Sequence, residues 1–429
     1  MSTSSAVSGG DNIRRKIAWR ILPFVFVLYI IAYLDRANVA YSKMTMMTDR
    51  GFSEAVFGFG AGIFFVGYLL FEIPGALIVE HWSARRWMTR ILITWGLCAV
   101  FVGFVRTANQ FYAARFLLGL AEGGFFPGII VYLTHWFCSR DRARALSAFI
   151  VAIPVSLSLG APISALILRI DWFGFAGWRW VFILEGLPAI LCGITTLFYL
   201  TDHPQEAAWL EPDEREWISA ELEAEKQAKR AAGQVLTSQA WRNRDVVLLA
   251  LTLFFANIGT YAFVFWLPTT VQRVSGRSAI FSTALSALPF VAAVASVVLL
   301  GRSSDLRGER KWHAAVPLGL AALFFTLSTL AETPFPMVML WLCATGAVLF
   351  AWAPSFWVLP TLTLGESAAA ASLGFINSFG NLGGFVGPSV VGYLLSRSHS
   401  QPVTTGFLAL SFVMGAAMVL AVRTRHANV

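Results

Sequence analysis

The stretch R-F-L-L-G-L-A-E-G-G-F-F-P-G, Arg115 to Gly128, decides the reading of this chain. It places Arg115 and Glu122 seven residues apart inside a hydrophobic run. Seven residues are about two helical turns, so both side chains fall on one helix face. A guanidinium or a carboxylate in lipid costs several kcal/mol unless it faces a polar interior, and such residues mark substrate paths and proton relays. A second pair, Asp35 and Arg36 in Y-L-D-R-A-N-V-A-Y, closes the first hydrophobic segment. These four charges are the expected working centre of a membrane carrier.

Composition agrees with a bilayer as the solvent. Of 429 residues 57% are apolar and 13% charged, against about 25% charged in soluble domains, and the mean hydropathy is +0.66. Runs of about 20 apolar residues, the length that crosses a bilayer, predict twelve spans: 19–40, 55–79, 88–105, 110–136, 146–169, 178–200, 246–271, 279–300, 313–331, 336–359, 368–395 and 403–422. The polar start leads into Arg14, Arg15 and Lys16 without a small-residue cleavage site after the first span, so that span is expected to be retained. With both termini in the cytoplasm, cytoplasmic segments hold 22 of the 32 Lys and Arg, outer loops 8, and span interiors only Arg36 and Arg115. That asymmetry follows the positive-inside rule and sets the expected orientation. It also accounts for the net charge of +8 without a nucleic-acid partner. Cys98, Cys138, Cys192 and Cys343 show no paired spacing and the histidines no ligand cluster, so neither disulfide, metal nor cofactor is expected.

The organisation expected from these runs is a cytoplasmic tail at 1–18, a six-helix bundle at 19–200, a cytoplasmic linker at 201–244, a second six-helix bundle at 245–422 and a short cytoplasmic tail at 423–429. Within the linker, 212–230 carries acids early and bases late, the order a helix dipole favours, and reads as a solvated surface helix. The bundles look duplicated. Gly75 to Arg86 (G-A-L-I-V-E-H-W-S-A-R-R) corresponds to Gly301 to Arg310 (G-R-S-S-D-L-R-G-E-R), with Glu80 and Asp305 in register, and Ala161-Pro162 corresponds to Gly387-Pro388. A near-constant offset implies two halves that rock about a midplane site. Glycines clustered in the fourth and eleventh spans fit close helix approach.

Taken together, Y-L-D-R-A-N-V-A-Y, R-F-L-L-G-L-A-E-G-G-F-F-P-G, G-W-R-W-V-F-I-L-E-G-L-P-A (177–189) and I-N-S-F-G-N-L-G-G-F-V-G-P (376–388) resemble the major facilitator superfamily, and within it the anion:cation symporter branch of bacterial sugar-acid, tartrate and phthalate carriers. The resemblance implies an all-α membrane protein of twelve transmembrane helices in two pseudosymmetric six-helix bundles. It implies proton-coupled symport of a small organic carboxylate, with protons and lipid as further partners, in a bacterial inner membrane. A monomer, and no enzymatic activity, is the working expectation; organic-anion exchange is the rival function and a membrane sensor a more distant one. By the same resemblance Arg115 and Arg36 bind substrate, Glu122 and Asp35 couple protons, and Tyr33 and Tyr68 are substrate contacts. Glu80, Arg85, Arg86, Asp305 and Arg310 form the gating loops. The first loop departs from G-x-x-x-D-R-x-G-R-R, with Glu80 for the acid and Ser83 for the second glycine.

Because no Asp, Glu, Lys or Arg lies inside spans seven to twelve, the second half must shape the pocket with neutral groups. Asn257, Asn377 and Asn381 are the expected substrate contacts there, with Tyr261 and Ser378 as further candidates. Asn377 and Asn381 share a helix face, and amides bond hydroxyls and carboxylates alike. Trp352, Phe356 and Trp357 are expected mainly to fill the core. Glu72 and Glu185 lie beside Pro or Gly breaks and are expected to be structural or gating acids.

Overall fold

The computed structural model describes residues 2–231, 242–330, 333–363, 366–398 and 401–423. Every regular element among them is helical. Six passes precede the linker: α1 (Ser2–Arg50), α2 (Glu54–His81), α3 (Ala84–Val102), a broken pass of α4 (Ala108–Glu122) and α5 (Phe125–Thr134), α6 (Ser139–Ile167) and α7 (Gly177–Tyr199). The linker contributes α8 (Pro212–Ala231). Six passes follow: α9 (Arg244–Ser275), a broken pass of α10 (Ala279–Leu285) and α11 (Ala287–Arg307), α12 (Lys311–Leu327), a pass broken twice into α13 (Phe335–Ala351), α14 (Ala353–Phe356) and α15 (Leu359–Thr363), α16 (Glu366–Ser398) and α17 (Gln401–Ala421). Among the described residues, nine of these segments are by themselves long and apolar enough to cross a bilayer. The remaining three passes, α3, α12 and α16, complete two bundles of six. Two of them are diluted by local chemistry: α3 starts on Arg85, Arg86 and Arg90, and α16 carries Asn377 and Asn381 amid its glycines.

The first helix is longer than its hydrophobic run. It continues to Arg50 at one end, and at the other Arg14 and Lys16 pair with α8, Arg14 with Glu221 and Lys16 with Glu214 at 2.6 Å. Glu225 of α8 accepts from the backbone N–H and hydroxyl of Ser139 at the start of α6, at 2.8 and 2.6 Å. The linker helix is therefore docked on the first bundle, a correction to the solvated tether expected from its charge. Exposed ion pairs of this kind contribute up to about 1 kcal/mol each. The part of the linker at 232–241 and the tail beyond 423 lie outside the described residues.

The halves meet along two seams with exchanged roles, α2 against α16 and α6 against α10 and α11, as the duplicated sequence requires, and α1 also packs on α9. Along the first seam the helices run antiparallel. At its end furthest from α8, a Cβ built on Gly58 would stand 2.3 Å from the Pro388 carbonyl oxygen and 2.9 Å from the Gly392 Cα. Backbones in such contact close the far mouth between the bundles, and only glycine permits it. Gly58→Val is expected to wedge this mouth open. A cysteine placed at Ser389 in a background freed of the native cysteines should then label from the far side at least severalfold faster, with transport lost. Unchanged labelling would show that the seam is not closed by this contact.

Candidate functional site

Glu122 is the last residue of α4, and the pass breaks immediately after it. Gly124 adopts φ +87° and α5 starts at Phe125. Glycine is the residue that takes a left-handed angle freely. Pro127, in the first turn of α5, has no N–H to lose there. The break also lets α2 pass closely, since a Cβ on Gly75 would stand 2.7 Å from the Gly124 Cα. Glu122 thus ends a half-helix in the bundle interior, where broken passes supply sites in carriers.

The four charges expected to act together do lie together, but they pair differently from the sequence expectation. Arg36 of α1 reaches Glu122: its Nε donates to Glu122 Oε1 at 2.9 Å and a terminal nitrogen donates to the same oxygen. Glu122 Oε2 has no hydrogen-bond partner. Asp35 Oδ1 accepts from the Asn38 amide at 2.8 Å, and its other oxygen has none. Arg115, two turns before Glu122, is fully buried, and all three guanidinium nitrogens lack a hydrogen-bond acceptor. Its guanidinium lies 4.9 Å from the Phe64 ring centroid. Asp35 and Glu122 are also fully buried.

Aromatic rings wall in this centre. Tyr33 and Tyr68 each lie 4.9 Å from the Arg36 guanidinium and Phe64 lies 5.5 Å away. Such stacking leaves the edge of the guanidinium, where its N–H groups point, for an anion. Tyr261 of α9 joins from the second bundle, 4.3 Å from Phe65 between ring centroids.

The second-half amides divide. Asn377 of α16 donates to Glu72 of α2, and Ser378 donates to the other Glu72 oxygen at 3.0 Å. Asn381 is buried one turn further along α16. Asn257 instead donates to the Gly380 carbonyl at 3.0 Å, within its own bundle. Trp352 donates to the Leu349 carbonyl at 2.8 Å and packs on Phe356, which packs on Trp357, the core role expected for them. Glu185 accepts from Ser164 within the first bundle, a structural bond between α6 and α7.

At the gating loops, Arg310 pairs with Asp305 and donates to Ser304 at 3.0 Å. The first-half loop replaces its missing glycine usefully: Ser83 caps α3 by accepting from the Arg86 N–H at 3.1 Å. Asp202 then accepts from Ser83 at 2.6 Å and from the Arg85 N–H at 2.8 Å. The Glu80 side chain lies outside the described residues. Sequence reasoning missed Asp202, which follows the sixth pass and carries no motif of its own.

It also missed Lys43. That residue is 1% exposed, sits 2.9 Å from Glu54 and lies 4.4 Å from the Trp266 ring. Trp266 of the second bundle donates to Glu54 at 2.9 Å. A polar latch thus joins the bundles beside the Gly58 contact. A cavity of about 270 Å³ adjoins it, lined by Glu54, Trp266, Arg273, Thr404 and Thr405 among others; it stands apart from the Arg36 and Arg115 centre. The available signal was spacing, because Lys43 lies seven residues after Arg36 on the same helix face.

The model of the Major Facilitator Superfamily matches residues 25–388 of the chain. The chain belongs to that superfamily. It is a multi-pass membrane protein and a secondary transporter, not an enzyme. Among its relatives, a "Putative tartrate transporter" of Agrobacterium vitis is 44% identical over 417 residues, 96% of this chain and 94% of the relative. The "Putative metabolite transport protein NicT" of Pseudomonas putida is 35% identical, covering 98% and 96%. Of solved structures, a D-xylose-proton symporter superposes with a TM-score of 0.74 at 17% identity, covering 94% of this chain and 97% of that one, a likeness of fold.

Proposed function

We propose that this superfamily member takes up a small organic carboxylate in symport with protons, by alternating access of the two bundles. The observation that carries the reading is Arg115, a fully buried guanidinium whose three nitrogens lack an acceptor. A buried donor left unpaired costs about 1–3 kcal/mol, more when charged, so an anionic ligand is the partner it calls for. Arginine meets a carboxylate with two parallel hydrogen bonds and keeps its charge. The relative named as a tartrate transporter supports an oxygen-rich acid as that ligand.

Coupling follows from the pairing of Arg36 with Glu122. While Glu122 is ionised it occupies Arg36; a proton on Glu122 releases Arg36 to the substrate, and an arriving carboxylate that takes Arg36 leaves Glu122 to take a proton. Proton and anion thus favour each other's binding. Asp35 is the second proton site, Tyr33 and Tyr68 hold Arg36 in place, and Asn377 and Asn381 complete the pocket from the second bundle. Asn257, whose amide nitrogen is bonded to the Gly380 carbonyl, would meet substrate with its amide oxygen. On this reading the protein is a monomer in a bacterial inner membrane. Its termini and α8 are cytoplasmic, and 19–200 and 245–422 are the moving halves.

Charge accounting supplies the test. With Asp35 and Glu122 ionised against Arg36 and Arg115, the centre is neutral, and a carboxylate entering alone would leave an unpaired charge in a medium of low dielectric. Protons carried should therefore at least equal the charge of the substrate, with two as the ceiling. Reconstituted protein given tartrate, a dianion at neutral pH, is expected to carry two protons with it, to show no current, and to accumulate it more as the inward proton gradient grows. Inward negative current would overturn the reading. Uptake that ignores pH but requires an anion on the opposite side would make the protein an exchanger.

A further inference from the structure

Glu72 is an acid buried in the seam between the bundles and bonded across it. It is 3% exposed; one oxygen takes the Asn377 amide and the other the Ser378 hydroxyl, both from α16 and themselves buried or half-buried. Two adjacent neutral donors, each directed at a different oxygen of one carboxylate, form a receptor for that group. In the first bundle the groups proposed to receive a substrate carboxylate are arginines. Here the second bundle, with no basic residue inside its spans, presents the only other chemistry that suits a carboxylate, an amide and a hydroxyl that can both donate. Asn381 stands one turn further along α16 on the same face.

The position relates this receptor to the charged centre. Tyr68, one turn before Glu72 on α2, lies 4.9 Å from the Arg36 guanidinium. A helical turn is ~5.4 Å, a span that a short diacid can bridge while leaving one carboxylate on the arginine side. Two carboxylates cannot share the Asn377 and Ser378 donors, because like charges that close repel strongly out of water.

Resting on the carboxylate reading above, we infer that Asn377 and Ser378 form a subsite for the second carboxylate of a dicarboxylate substrate, and that Glu72 occupies it as an internal stand-in when no substrate is bound. Glu72 is then a specificity-determining residue. It acts against diacids by competing for their second subsite, and it leaves monoacids, whose one carboxylate is held by Arg36 and Arg115, untouched. Substrate that displaces Glu72 also breaks the bond between the bundles, which ties the arrival of a diacid to release of the seam.

The test compares tartrate with glycerate, which keeps a carboxylate and two hydroxyls but lacks the second carboxylate, by calorimetry on the purified full chain in detergent. Glu72→Ala is expected to tighten tartrate about fivefold or more and to leave glycerate within about twofold. The Asn377→Ala, Ser378→Ala pair should weaken tartrate about tenfold or more, the scale of one lost hydrogen bond to a charged group, and weaken glycerate by a clearly smaller factor. Glu72→Gln keeps the side-chain shape and guards against misfolding; its neutral amide should compete less, tightening tartrate in the same direction by a smaller factor. An unchanged ratio of the two affinities in the Glu72 variants would sink this inference alone. A wild-type protein that binds neither acid would sink the carboxylate reading with it.

Discussion

Arg115→Ala protein is expected to bind tartrate-like acids too weakly to measure. In the wild type the guanidinium is buried with no acceptor, so nothing in the protein competes with a substrate carboxylate for it. Two charge-assisted hydrogen bonds contribute about 1.5–3 kcal/mol each, and their loss lowers affinity by roughly 10²- to 10⁴-fold. Arg115→Lys should recover little of this, since an ammonium on a shorter stem cannot present the paired N–H fork. The fold should persist: with one cation gone, either Asp35 or Glu122 can hold a proton and restore neutrality. Calorimetry and size-exclusion chromatography on the same preparation check both statements. Near wild-type affinity in the alanine variant would remove Arg115 from the site.

Arg115 was legible because a charge in a hydrophobic run stands out whatever its partners are. Its pairing was not. The sequence placed Glu122 on its own helix face, yet Glu122 bonds to Arg36, 86 residues away. The Gly123-Gly124 break after Glu122 and the reach of Arg36 across from α1 decide that, and neither shows in the periodicity of one helix. Lys43 escaped for a related reason. Hydropathy ends the first span near residue 40, whereas the helix runs to Arg50 because α2 and Trp266 of the second bundle supply Lys43 with a carboxylate and a ring.

Glu72 was assigned to structure or gating on local grounds, beside Pro74. Its partners lie some 300 residues on, in the other bundle. Contacts across the seam involve side chains whose sequence neighbours say nothing of each other, so only the duplicated pattern could suggest that α2 faces α16. By contrast, the order of helices followed from apolar run length alone, since a bilayer fixes how long each pass must be.

Glu122→Gln is the variant expected to separate transport from its driving force. Glutamine fills the volume of a protonated glutamate but carries no charge and cannot take up the proton. Arg36 then loses its ionic partner for good, and the centre holds Asp35 against two arginines, one positive charge in excess. A monoanion can enter at neutrality without any proton, so its binding should be at least as tight as in the wild type and should lose its dependence on pH. Exchange of labelled against unlabelled acid should survive for the same reason. Accumulation should not: one coupled proton and a gradient of one pH unit are equivalent to about 1.4 kcal/mol, a tenfold concentration ratio, and in the variant that ratio should fall to about one. Proteoliposomes with an imposed proton gradient, assayed for net uptake and for exchange in parallel, read both quantities. If net accumulation remains near tenfold while exchange is normal, the coupling proton is not carried by Glu122, and Asp35, whose second oxygen is also without a partner, becomes the acid to replace next.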